Sequence, residues 1–160
     1  MANDIYLDQK HSELVDELCQ GEARIFNNNA YGSVVFALIG YANQHRAEPD
    51  SSRKREVPGG ALENADAEAY AYLMTVVENE TDPGCLRPEH DKEIWRRFEE
   101  YANGGLEILS EWILESNTAV TEVMLQKMYN VIIKLDVNEN GSKQESSDNE
   151  DEFKPTINLD

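Results

Sequence analysis

From His11 to Leu135, apolar residues recur at three- and four-residue spacing in one segment after another, the period of helices that each bury one stripe. The spacing predicts a helix over His11–Gln20, with Leu14, Val15 and Leu18 on its stripe and Gly21 as its stop. Asn27, Asn28 and Asn29 offer N-caps for a stronger helix over about Ala30–His45, with Tyr31, Val34, Val35, Leu38 and Tyr41 or Ala42 inward. Asp66 is placed to cap a helix running to about Asn79, with Tyr70, Leu73, Met74 and Val77 inward. Pro88 opens a longer helical region, with Glu89 and Asp91 in its first turn and Ile94, Phe98, Tyr101 and Ala102 as its stripe. Asn103-Gly104-Gly105 is expected to end or bend that helix, with Leu106, Leu109, Trp112 and Ile113 continuing the apolar pattern beyond it. Thr118 is expected to cap a last helix, whose seam is Val120, Met124, Met128, Val131 and Leu135.

The pattern vanishes between Ala47 and Ala65, where Pro49, Asp50, Ser51, Ser52, Pro58, Gly59 and Gly60 supply turn and loop chemistry. A short strand around Val57, pairing with Ile5-Tyr6-Leu7, is the one β option. The expected fold is therefore mainly α: a compact bundle of about five to six short helices over residues 1–135, with room for one small two-stranded β ribbon. Beyond Leu135 the composition changes. Residues 136–160 carry eight acidic and two basic side chains, leaving net −6 there and −12 on the first 135 of a chain whose total is −18. Too little apolar surface remains to offset the entropy of ordering, so an acidic disordered tail is expected. Phe153, Ile157 and Leu159 at its end form a candidate docking segment.

The charge of −18 repels polyanions and favours a basic partner. Two cysteines, Cys19 and Cys85, build no disulfide framework and have no metal-ligand spacing, which suits reduced thiols in the cytoplasm. The first residues have no basic and apolar regions of a secretion signal, and no run reaches the roughly 18 apolar residues of a membrane span. A cytoplasmic protein without membrane contact is expected.

Catalytic machinery is not legible. His11, His45 and His90 each sit in polar surroundings at an expected helix end, without a second ligand at metal spacing. Glu89-His90-Asp91 are adjacent on a helix and point in different directions. Nothing near Cys19 lowers a thiol pKa, Ser33 is not in a nucleophile elbow, and the paired glycines match no phosphate-binding loop. No catalytic, cofactor-binding or metal-binding residue is assigned. The basic cluster Arg53-Lys54-Arg55 is a candidate partner or phosphate contact. Arg97 is expected to be neutralised by Glu93 and Glu100, one helical step away on either side. Trp112, beside Glu111 and near Glu115, is a further candidate partner contact at a helix edge.

Two stretches are distinctive beyond composition: Ile25-Phe26 followed by Tyr31-Gly32-Ser33-Val34-Val35-Phe36-Ala37-Leu38-Ile39-Gly40-Tyr41, and Phe98-Glu99-Glu100-Tyr101-Ala102-Asn103-Gly104-Gly105-Leu106-Glu107-Ile108-Leu109. With the Leu14-to-Leu18 helix they resemble the small accessory family found beside DNA phosphorothioation (Dnd) genes, the Dnd-system-associated proteins, over roughly residues 5–115. The resemblance implies a role in bacterial antiphage defence, in which a non-bridging phosphate oxygen of DNA is replaced by sulfur and companion proteins restrict DNA lacking the mark. It implies a restriction-side accessory component with protein partners in a defence complex, and it carries no catalytic residues over. The acidic tail departs from the compact family pattern.

Three functions compete at this level. One is an interaction subunit of a modification-dependent restriction complex. The second is an acidic DNA mimic that occupies a nuclease or a DNA-binding protein. The third is a transcriptional regulator of the defence operon, which needs a basic reading face that the Ala30–His45 helix does not supply beyond His45 and Arg46. The partner and the oligomeric state are not encoded in any readable motif.

Overall fold

The structure, a computed structural model, describes residues 2–130 except 23, 51, 53, 80, 81, 83, 117 and 128. Residues Met1–Val123 form one compact unit, and the remainder a second. The fold is mainly helical, as the periodicity predicts. The acidic segment 136–160, with Phe153, Ile157 and Leu159, lies outside the described residues.

The small ribbon is present. Strand β1 (Ile5–Asp8) pairs antiparallel with β2 (Lys54–Val57), setting Ile5 opposite Val57 and Leu7 opposite Arg55. Ile5, Leu7 and Val57 are buried, so the ribbon has an inner apolar face. A 3-10 turn at Gln9–His11 leads into α1 (Ser12–Cys19), which buries Val15 and Leu18. Helix α2 (Asn29–Ala42) starts where the asparagines predict: the Asn28 side chain accepts the backbone N–H groups of Ala30 at 2.9 Å and Tyr31 at 3.1 Å.

The loop expected up to Ala65 contains a short helix, α3 (Gly59–Asn64). Gly59-Gly60 reads as a turn, but the Gly59 N–H is accepted by Asp4 at 2.7 Å, a cap supplied from 55 residues earlier. Leu62 then fills the core. Helix α4 spans Ala67–Glu78. Asp66 stands at its N-cap position with φ 52°, but its side chain makes no capping hydrogen bond.

Helix α5 (Asp91–Ser116) follows a 3-10 turn at Pro88–His90. It runs unbroken for 26 residues, so Gly104-Gly105 does not end it. The two glycines instead let other backbone lie directly on the helix. A Cβ at Gly105 would overlap the Phe36 carbonyl, one at Gly104 the His45 carbonyl, and one at Gly40 the Tyr101 carbonyl. Helices α2 and α5 therefore meet through glycine, and this is the most extensive packing between elements of the unit.

That meeting turns α2 relative to the predicted stripe, of which Val34 is buried as expected. Its buried face is Ala30, Gly32, Ser33, Val34, Phe36, Ala37 and Gly40, while Tyr31 and Leu38 are exposed. Close backbone approach requires small residues, and Ala37 and Gly40 supply them on this face beside the core-filling Phe36. The centre of the core is Trp95 and Phe98, edge to face with centroids 5.6 Å apart, with Phe36, Leu106 and Leu109. Among the described residues, no helix is long and apolar enough to cross a membrane.

Candidate interaction face

Helix α4 is inside out by the usual standard. Its buried positions are Ala67, Ala71, Met74 and Thr75, small apart from Met74, while Tyr70, Leu73, Val76 and Val77 are exposed. Leu73 keeps 58% of its surface in water and Val77 47%. Of the predicted inward stripe only Met74 is buried. Positions 70, 73, 76 and 77 fall on one side of the helix, so the exposed residues form a continuous apolar face.

Polar side chains tie the other side of α4 to α5. Glu78 accepts the Tyr101 hydroxyl on one oxygen and pairs with Arg97 at 3.3 Å on the other. The Tyr72 hydroxyl donates to Asp91 at 2.9 Å and to Glu68 at 3.1 Å. Burial and the neighbouring Glu78 push the Tyr101 phenol up to about 12, so it stays a donor at neutral pH. These links fix the rotation of α4 and leave its large apolar residues facing solvent. The spacing of Ala67, Ala71 and Thr75 was the available signal: small residues four apart mark a close-packing side.

The basic cluster offers less than its sequence suggests. Arg55 is held by Asp16 at 2.7 Å, and the Lys54 ammonium sits 5.3 Å from the centre of the Tyr6 ring. Arg53 lies outside the described residues. On α5, Arg96 pairs with Glu93 at 2.8 Å and Glu100 at 3.2 Å, and Arg97 pairs with Glu93 at 3.3 Å. The expected neutralisation is thus present, with Arg96 and not Arg97 taking Glu100. Trp112 is half-buried on α5, whereas the tryptophan that fills the core is Trp95.

Glu107 joins two distant segments, pairing with Lys10 at 2.6 Å and His45 at 2.8 Å, and the hydrogen bond from Lys10 holds its carboxyl below the usual range. His11 departs from the polar surroundings its sequence suggests: it is half-buried, its Nδ1 lies 3.1 Å from the Ser110 hydroxyl, and its Nε2 is enclosed without a partner. Burial lowers its pKa, and Lys10 adds to the effect. Cys19 is buried and its thiol is pushed up to about 11, the environment of an inert thiol. Cys85 lines a cavity of about 150 Å³ with Asp82, His90, Glu93 and Arg97, where Arg97 is already taken up by Glu78 and Glu93. No cluster of three or more potential metal ligands occurs among the described residues.

The second distinctive sequence stretch is accounted for by packing. Phe98 and Leu106 fill the core, Gly104 and Gly105 admit backbone, and Glu99 and Asn103 hydrogen-bond to β1. A family model described as DNA sulphur modification system-associated protein 4 matches residues 5–151. No curated protein and no solved structure matches the chain.

Proposed function

This chain belongs to the DNA sulphur modification system-associated protein 4 family, and from that premise we propose that it is a cytoplasmic, non-catalytic accessory subunit on the restriction side of a DNA phosphorothioation-dependent antiphage system. It works by holding protein partners. The observation that carries this reading is the apolar face of α4, a surface of Tyr70, Leu73, Val76 and Val77 on a chain of net charge −18. Grouped exposed apolar side chains of this kind mark contact surfaces.

The rival readings find less support. A DNA mimic needs rows of free carboxylates, whereas Asp16, Glu93, Glu100 and Glu107 are engaged in ion pairs. A regulator needs free cations on a reading helix. Arg46, just beyond α2, lies 5.7 Å from the centre of the Tyr101 ring and 3.7 Å from Glu100.

The test is genetic and biochemical together. A tagged chain is purified from a host carrying the sulphur-modification and restriction genes, and the gene is deleted in parallel. Co-purification of restriction-side proteins is expected, with loss of restriction and unchanged sulfur content in the DNA. A deletion that lowers phosphorothioate content while restriction persists would place the protein on the modification side and refute the reading.

A further inference from the structure

We propose that the α4 face receives an amphipathic helix of a protein partner, one whose apolar ridge is flanked by lysine and arginine. The inference rests on the accessory reading above and names the chemistry of the partner. The ridge on this chain is Tyr70, Leu73 and Val77, spaced three and four apart, with Val76 beside them. That spacing matches the anchor pattern of one helix laid against another. Asp66 stands at the start of the face, whereas Glu78 is turned to α5 and paired there with Arg97. From Glu56 to Leu86 the sequence contains seven acidic residues and no lysine, arginine or histidine. An occupant apolar at its centre and positive at its edges complements this ridge and the acidic sequence around it.

Charge selects among the possible occupants. A second copy of this chain would bring the same acidic surroundings and a net −18 to the contact. An anionic membrane surface is repelled for the same reason. A protein that acts on DNA carries cationic surface for its phosphate contacts, and a helix from such a protein meets both requirements. The polar links from Glu78 and Tyr72 to α5 make the face a preset surface, with little ordering needed on binding.

The experiment places a photo-crosslinking amino acid at Leu73 of the full chain, in cells that carry the whole system, with Glu13 on α1 as the control position. Crosslinked peptides are then sequenced. The expected peptides come from another protein of the system, with apolar residues three and four apart and lysine or arginine within a turn on either side. The control position should not yield them. In the same cells Leu73→Gln/Val77→Gln, both at exposed positions, should retain at least ten-fold less of that partner while its circular dichroism and unfolding midpoint stay unchanged. Crosslinks from Leu73 to this same chain, to acidic peptides or to nothing would overturn the proposal, as would full partner retention by the double variant. If system proteins co-purify with the wild type and with the double variant alike, only the docking face is wrong. Should none co-purify with the wild type, the accessory reading itself fails.

Discussion

Asn103, buried at the middle of α5, accepts the backbone N–H of Asp8 at 2.8 Å, joining positions 95 residues apart. Its amide nitrogen donates to the Tyr6 carbonyl at 2.9 Å, and Glu99, one turn earlier, accepts the Tyr6 N–H at 2.7 Å. The edge of β1 that does not pair with β2 is thus paired with side chains of the core helix, which satisfies backbone groups that would otherwise be buried without partners. Removing the amide should be costly. Asn103→Ala leaves the Asp8 N–H and Tyr6 carbonyl unpaired, each at a cost on the order of 1–3 kcal/mol. Urea unfolding of the purified variant reads the loss; an unchanged midpoint would mean that water replaces the amide.

The glycine contact predicts an opposite pair of outcomes. Gly105→Ala drives a methyl into the Phe36 carbonyl and must force α2 from α5, a destabilisation of about 1–3 kcal/mol or more. Gly60→Ala, in α3, meets nothing within 4 Å and should be neutral or stabilising by up to about 1 kcal/mol. Thermal melts of the two variants side by side check both signs.

Phe98 and Trp112 separate core from edge. Phe98→Ala empties a fully buried site against Trp95 and should cost on the order of 3–5 kcal/mol. The half-buried Trp112 should cost distinctly less when changed to Ala. Equal losses in urea unfolding would contradict the difference in burial.

Acid should expose His11. Burial lowers its folded-state pKa below the ordinary 6.5, so the unfolded chain binds a proton more readily. Its contribution to stability is complete above about pH 6.5 and is lost as the pH falls from there toward the folded value. Glu99 opposes this, since burial raises its pKa and its protonation favours the folded state as the pH falls through that raised value. The comparison to make is therefore wild type against His11→Gln, at pH 7.5 and 5.5: the variant should lose less stability across that step. An identical loss in both would show that His11 charges freely in the folded protein.

Duplex DNA should bind weakly, modified or not. With Arg55 held by Asp16 and a net charge of −18, few cations are left to displace counterions from phosphates. Mobility shifts near 150 mM salt should show nothing tighter than the roughly 1–100 μM typical of nonspecific contact. A submicromolar shift would return Lys54 and Arg55 to the front as contacts.

By itself the sequence determined whatever depends on neighbours within a few residues. Asn28 caps α2, Pro88 opens the turn before α5, and Glu93 meets Arg96 and Arg97 because helical spacing puts them together. The β1–β2 ribbon was also legible, since Ile5, Leu7 and Val57 have few other ways to be buried. What the tertiary structure decided is which side of a helix counts as inside. On α2 and α4 both sides carry apolar residues, and only packing chooses between them. On α2 the Gly40 contact with α5 leaves Tyr31 and Leu38 outside, and on α4 Ala67, Ala71, Met74 and Thr75 go inward while Leu73 stays exposed. Gly104-Gly105 shows the same limit. Glycine weakens an isolated helix by about 1 kcal/mol per residue and so reads as a break, but packing against Phe36 and His45, some 60 to 70 positions away, makes it the residue that holds α5 in place.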